Sequence, residues 1–392
     1  MRILFLTSRL PYPPYRGDRV RTYHFLRELG QEHEITLASF VQNEQERKHL
    51  AALAPFCRAI HVVPLTAAWS AMTAVGNVWR KRPLQALFYQ SAAMQRLVDR
   101  LIAEEAFDVA YAHLFRMAPY LARQNSLYRI VDYTDLISHE VAASLPFRPP
   151  IWRAIYRIER PRIAAFEEEV AAWADEIWFI NRRDLDLFST RPHHAAVHAI
   201  PNVIGRAPLQ ERCQNDADDV LFVGNLDVYH NVDAVNYLVT EIMPLVWQVL
   251  PHVNLNVVGA GSTEGLRDLS TDPRVHIIGF MPDLEEAYAA NAVFTAPLRF
   301  AAGTQNKVIE AMAAGLPVVL TKAVFAGLDA DSRDVALVAE DAQGLAGHIV
   351  RLIRDRGLRV ELGAGGQAFV REHFSQTAVL DHLRDLARHL HA

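Results

Sequence analysis

Apolar residues in this chain gather into short runs, and the stretches between the runs are longer, mixed in polarity and helical in spacing. In the first half the runs are ILFL, ITLASF, HVVPL, VAYAH, YRIVDY and EIWFI; in the second they are VLFV, LNVV, VHIIG, VFTA, PVVL and VALVA. Runs this short, with little strict alternation, are expected of strands buried on both faces. Separated by helical stretches, they predict parallel sheets covered by helices on both sides. The first strand is expected over Arg2 to Thr7, followed by the Pro-rich loop LPYPPYRGDRV and a helix through Leu29. A long helical region is expected from Trp152 to Ala174, and another helix begins near Asp233. The polar stretch QERCQNDADD interrupts the rhythm, which then restarts. The chain therefore divides into two doubly wound α/β domains, 1–205 and 206–374, with a C-terminal helix over 375–392 expected to pack back on the first. Sheets of this kind bind ligands at the carboxyl ends of their strands, so loops of both halves are expected to face a central cleft.

Composition narrows the function only by exclusion. With 392 residues, 22% charged and a net charge of −5, nothing supplies the basic face that nucleic-acid binding needs. The two cysteines, Cys57 and Cys213, fit neither a zinc spacing nor a disulfide framework, which favours a reducing compartment. The apolar core of MRILFLTSRLPYPP is too short for a signal peptide, and no run reaches the ~18 residues of a membrane span. A cytoplasmic protein is expected. The basic cluster Arg80, Lys81 and Arg82 beside aromatics suggests peripheral contact with the inner membrane, although a solvated helix end explains it as well.

The stretch APLRFAAGTQNKVIEAMAAGLPVVL carries the most chemistry. Gly303 and Thr304 are expected to open a helix whose free N–H groups favour an anion. Lys307 lies within reach of the same anion, and Glu310, three residues on, can accept hydrogen bonds from a vicinal diol such as a ribose. Diphosphate plus ribose means a nucleotide. A solvated Lys–Glu pair is the competing explanation, but EAMAAG and PVVL pack this helix close to a sheet. Gly224, after VLFV, would let a phosphate approach the backbone, or serve as a plain tight turn. Gly17 lies in the loop after the first strand, with Arg16, Asp18 and Arg19 as charged candidates beside it. His113 and Asp135 each follow a strand at the edge where ligands bind. His194 and His198 are spaced i, i+4, but no third metal ligand is evident in sequence, and a strand is expected there instead.

The run PLRFAAGTQNKVIEAMAAGLPVV resembles the donor-site motif of family-4-like retaining glycosyltransferases with the GT-B fold. RLPYPPYRGDRVRTYHFLREL and GNLDVYHNVDAVNYLVTEIMP are similar to segments of sugar transferases associated with exosortase/PEP-CTERM exopolysaccharide systems. The resemblance implies a nucleotide-sugar donor, UDP- or GDP-linked, no other cofactor, no metal, and a glycan or lipid-linked glycan acceptor. It implies that Glu310 binds the donor ribose and that Gly303, Thr304, Gln305, Asn306 and Lys307 hold the diphosphate side. It places Gly224 and Asn225 on the phosphates, Gly279, Phe280 and Met281 near the nucleobase, and Gly17 near the donor phosphate. His113 matches a histidine near the reacting sugar, with Arg16, Asp18 and Asp135 on the acceptor side. Phe280 has simple core packing as its alternative. Two departures stand out: Ala302 occupies the place of the motif's first glutamate, and Asn225 with His230–Asn231 replaces an arginine and a lysine. These leave open a catalytically silent GT-B scaffold in a polysaccharide assembly, and a nucleotide-sugar 2-epimerase on the same fold.

Overall fold

The computed structural model describes the chain apart from residues 15–16, 67–71, 73–75, 77–78, 80, 203–216, 262–270, 302, 329–334, 375–376 and 391–392. Arg16, Arg80, Ala302, Cys213 and most of the polar linker therefore lie outside the described residues. The chain forms two compact units: Met1–Val203 with Gln376–Ala392, and Ile204–Ser375.

The first unit holds a seven-stranded sheet in the order β3-β2-β1-β4-β5-β6-β7, parallel throughout. Its strands are β1 (Arg2–Thr7), β2 (Glu34–Val41), β3 (Ala59–Pro64), β4 (Val109–His113), β5 (Tyr128–Thr134), β6 (Glu176–Phe179) and β7 (Ala196–Ala199). The pleat of β1 shows why its run is continuously apolar. Ile3 and Phe5 enter one core cluster, while Leu4 and Leu6 enter the cluster on the opposite face. Full burial of each such side chain is worth about 1.5–3 kcal/mol, so a polar residue at any of these positions would be costly.

Helix α1 (Gly17–Leu29) buries Arg21, Phe25 and Leu29 at helical spacing, together with Thr22 and Leu26. It stops at Gly30, where an added Cβ would meet the Phe56 carbonyl oxygen at 2.5 Å. Helix α2 (Pro150–Ala171) starts two residues earlier and ends three earlier than the periodicity suggests. The sheet's strand β7 and the C-terminal helix come from distant parts of the chain. The latter sends Leu380, Leu383 and Leu386 into the same cluster as Phe5 and Trp178.

The second unit holds a six-stranded parallel sheet in the order β10-β9-β8-β11-β12-β13. Its strands are β8 (Val220–Val223), β9 (Leu255–Val258), β10 (Val275–Gly279), β11 (Val293–Ala296), β12 (Val318–Thr321) and β13 (Leu337–Ala339). Helix α3 (Tyr229–Tyr237) begins four residues before Asp233, with Val228 at the N-cap position and no side-chain cap bond. Helix α4 (Glu285–Ala289) follows β10, and helix α5 (Asn306–Ala313) lies between β11 and β12. Val308, Ile309, Ala311 and Met312 bury the inner face of α5.

Among the described residues, no helix is long and apolar enough to cross a membrane.

Candidate active site

In the second unit the strand order reverses between β8 and β11, and open α/β sheets bind ligands outside the carboxyl ends of strands at such a point. The loops that leave those two strands carry the sequence candidates. After β11 the chain turns through Gly303, whose φ is +55°, before α5 begins. The helix starts at Asn306 with Gln305 as N-cap, not at Gly303–Thr304. The Thr304 hydroxyl instead donates to the Gly327 carbonyl oxygen at 2.6 Å. That bond ties the turn to the segment after β12, and Gln305 rather than Thr304 stands at the N-cap position. Gln305 makes no side-chain cap bond, so α5 begins without one.

Lys307 is the second residue of α5 and Glu310 follows one turn on. Among the described residues they form no ion pair with each other or with any other side chain. The Lys307 ammonium donates to Asn231 Oδ1 and lies 4.9 Å from the centre of the Phe222 ring. Burial pushes its pKa down to about 7. Glu310 accepts from the Tyr288 hydroxyl of α4 at 3.3 Å. Burial pushes its pKa up to about 7, outweighing that bond. Burial, then the nearby Glu310, holds Tyr288 well above the ordinary phenol range, so it is a neutral donor. The site thus places an incipient cation and an incipient anion on one helix, each contacting a neutral partner.

Asn231, marked in sequence only as standing with His230 in place of a lysine, is the hub of this arrangement. It is buried, and its Nδ2 donates to the Asn225 carbonyl oxygen at 2.9 Å while its Oδ1 receives Lys307. The Asn225 side-chain oxygen accepts from the Asp227 N–H at 2.9 Å, so it shapes its own loop. Gly224 has a local reason to be glycine: an added Cβ would lie 2.8 Å from Asn231 Cγ. Gly224→Ala should therefore displace Asn231 and, through it, Lys307. We expect nucleotide affinity in titration calorimetry to fall about tenfold or more, for the loss of one charge-assisted bond, with far-ultraviolet circular dichroism unchanged.

Gly279 has φ +85°, with open space where a Cβ would lie, and its carbonyl oxygen accepts from the Gly259 N–H at 2.8 Å. Phe280 is 49% exposed, which excludes core packing: it follows a strand whose last residues alternate outward. Met281 is partly buried against the core.

In the first unit the strand order reverses between β1 and β4. His113 ends β4 and is buried, with Nδ1 3.4 Å from Asp132 Oδ2 of β5 and no hydrogen-bond partner on Nε2. Asp132, fully buried, also receives the Arg21 guanidinium at 2.6 and 3.2 Å and the Tyr111 hydroxyl. Burial alone would raise its pKa; Arg21 and His113 outweigh burial and hold it well below the usual carboxylate range. Arg21 also donates to the Ile200 carbonyl and to Asn202 Oδ1, both at 2.9 Å. Two non-glycine residues beside this network have positive φ, Leu114 at +69° and Thr134 at +63°. Such backbone is costly, most of all for a β-branched residue, and it persists where surrounding contacts over-determine it. Here the Leu114 N–H donates to the Asp132 carbonyl and the Thr134 N–H to Asp132 Oδ1.

Gly17 is the exposed first residue of α1 rather than a loop residue. Asp18 faces Arg9 at 3.3 Å and Arg116 at 3.9 Å; these outweigh its burial and lower its pKa. Arg19 pairs with Glu46 at 2.6 Å and is engaged away from that group. Asp135 lies just past β5, and its Oδ1 is buried without a partner. Burial, with Asp184 and Glu140 nearby, pushes its pKa well above the usual carboxylate range. Arg82 pairs with Glu169 at 2.7 Å, so it anchors the first unit internally. Arg21 and Asp132 were legible in principle: Arg21 shares a helix face with Phe25 and Leu29, and Asp132 interrupts the apolar run YRIVDY. Tyr288 left no comparable signal, and Asn231 was visible only as a departure from the cation pattern of similar sequences.

Two solved structures superpose on nearly the whole chain. Sucrose-phosphate synthase from Thermosynechococcus elongatus matches with a TM-score of 0.72 at 15% identity, covering 99% of this chain and 98% of that one. HepE from Anabaena, crystallised with UDP and glucose, matches with a TM-score of 0.68 at 15% identity, covering 99% of each chain. The fold is GT-B. Residues 217–355, the core of the second unit, match the family of glycosyl transferases group 1. A protein of Klebsiella pneumoniae described as an uncharacterized 44.6 kDa protein in the cps region is 24% identical over 169 residues. That match covers 41% of this chain and 44% of the relative, under half the length of the curated protein. The expected fold class, two Rossmann-like domains, is therefore observed, and the second-unit candidates from Gly224 to Glu310 fall within the residues that match glycosyl transferases group 1, whereas Gly17 does not.

Proposed function

We propose that this chain is a retaining glycosyltransferase that moves a sugar from a UDP- or GDP-linked donor to an exopolysaccharide or lipid-linked glycan. The observation that carries the reading is the Lys307–Glu310 arrangement: two groups of opposite charge on one helix at the strand-order reversal, each contacting a neutral side chain and not each other. A nucleoside diphosphate supplies the partner each lacks. Lys307 and the start of α5 take the diphosphate, and Glu310 accepts from the ribose hydroxyls. Gly303, Gln305 and Asn306 frame the diphosphate, and the open face above Gly279, with Phe280 and Met281, receives the base.

In the proposed reaction the bond between the sugar's anomeric carbon and the phosphate oxygen breaks as the acceptor oxygen bonds to the same face of that carbon. The acceptor proton passes to the departing phosphate oxygen. Negative charge grows on the diphosphate, and its stabilisation by Lys307 and the helix start is the main catalytic contribution. No step passes through a metal. In the first unit, His113, fixed through Nδ1 by Asp132 and with Nε2 unpartnered, is assigned to the acceptor side together with Asp18 and Asp135.

The segments similar to exosortase-associated transferases and the relative from a cps region support a polysaccharide acceptor. A lipid-linked acceptor would bring the protein to the cytoplasmic membrane face. The first unit offers α2 for that contact, with Ile151, Trp152 and Ile158 exposed among Arg153, Arg157 and Arg160. One observation favours a silent scaffold instead: the loop after β8 and the first turn of α3 present Asn225 and Asn231 where a cation would strengthen phosphate binding.

Titration of UDP and of GDP against wild type and Glu310→Ala tests the reading. We expect one nucleotide to bind wild type and the variant to lose about 1.5–3 kcal/mol, a charged hydrogen bond. If neither nucleotide binds wild type, the donor site is wrong; binding with no turnover on any glycan acceptor favours the scaffold.

A further inference from the structure

Far from the candidate nucleotide residues in sequence, three side chains of the first unit converge on one point. Glu176 opens β6, and the pleat puts it on the same face as Trp178. His198 of β7 stands in register beside Trp178 on that face. The C-terminal helix α6 (Thr377–Leu390) lies over it, anchored by Leu380, Leu383 and Leu386, and lowers His382 between them. His382 Nε2 is 2.8 Å from Glu176 Oε2, His198 Nε2 is 3.8 Å from the same oxygen, and one ligand atom from each residue lies within 4.8 Å of the others.

We propose that Glu176, His198 and His382 bind a divalent transition-metal ion, zinc by the character of the donors, as a staple that fastens α6 to the β6–β7 edge of the first unit. Two imidazole nitrogens and one carboxylate are a borderline-soft set suited to zinc, leaving a fourth position for water. Tetrahedral zinc with bonds of about 2.0–2.1 Å needs ligand atoms about 3.3 Å apart. The observed separations bracket that value, so side-chain rotations within the existing backbone suffice.

The surroundings also suit a metal. The Trp178 indole N–H donates to Glu176 Oε2 at 2.7 Å and the Tyr128 hydroxyl to Oε1 at 2.9 Å, which orients the carboxylate as outer-shell donors do. The two imidazole rings are 4.4 Å apart, and Glu176 is nearly inaccessible. His198 and His382 keep partial exposure, so an ion has a way in. A hydrogen bond accounts for one histidine on Glu176; it does not account for a second that turns the same nitrogen to the same oxygen at 3.8 Å.

The test uses the full chain, freed of metal with a chelator and then titrated with zinc, with cobalt as a spectroscopic probe and magnesium as control. We expect one tight equivalent of zinc, tetrahedral visible bands with cobalt, a chelator-reversible rise in Tm, and no response to magnesium. His198→Ala and His382→Ala should each weaken that equivalent at least tenfold. Because His382→Ala could loosen α6, His198→Gln is measured beside it, with Tm in chelator as the check that α6 remains packed. Less than a tenth of an equivalent on wild type, or undiminished binding in His198→Gln, overturns the proposal. The readout is independent of nucleotide binding, so it stands or falls apart from the proposed transferase activity.

Discussion

Lys307→Met is expected to weaken nucleotide diphosphate binding on the order of 10²–10⁴-fold. The estimate follows from leaving a partly buried anion without its cation, which costs about 3–5 kcal/mol where a buried pair is broken. Methionine keeps the length and apolar stem, so packing on Phe222 survives and the loss reports charge. The wild-type affinity should itself depend on pH with a maximum near 7. Burial lowers Lys307 to about 7, and a bound diphosphate favours its charged form, so affinity falls above pH 7 and binding takes up protons there. Burial raises Glu310 to about 7, and hydrogen bonds from ribose hydroxyls favour its ionised form, so affinity falls below pH 7 and binding releases protons there. Titration calorimetry between about pH 5.5 and 8.5, in buffers of different ionisation heat, reads both the affinity and the sign of proton exchange. A flat profile, or proton exchange of one sign throughout, would remove one or both residues from the site.

The second large effect lies in the first unit. Asp132→Ala is expected to destabilise that unit by about 3–5 kcal/mol, because it strands the fully buried Arg21 without its carboxylate. It also removes the acceptor for Tyr111, the contact to His113 and the support for the positive-φ residue Thr134. Urea denaturation followed through Trp178, which packs on Tyr111, should show the early loss of the first unit; a change under about 1 kcal/mol would show that Asp132 is not the counter-ion. The pH dependence has a definite sign. The folded pKa lies below the unfolded value, so the stabilisation is complete above the unfolded pKa and disappears as pH falls through the folded one. Acid unfolding of wild type should accordingly begin in the first unit, and Asp132→Ala should remove its steepest part.

The sequence by itself determined the layered α/β architecture. Each buried strand announces itself as a short apolar run, since both its faces must leave water, and each run from ILFL to VALVA became a strand of one of the two sheets. It also located the Lys307–Glu310 helix, because small and apolar neighbours around two charges are a local anomaly visible without coordinates. What it misjudged was local: α5 starts at Asn306 with Gln305 at its N-cap position, while the Thr304 hydroxyl donates to Gly327, a partner 23 residues away that the local sequence does not announce.

The tertiary structure alone decided which groups share a site. Asn231 reaches Lys307 across 76 residues of chain, and Arg21 reaches Asp132 across 111. His382 reaches Glu176 across 206, which supplies the ligands that His198 lacks in sequence. The physical reason is the same in each case. Hydrophobic patterning depends on neighbours a few residues away and is written along the chain. Hydrogen bonds and charge pairs depend on distances of about 3 Å, which exist only after sheet order and helix packing have brought remote segments together.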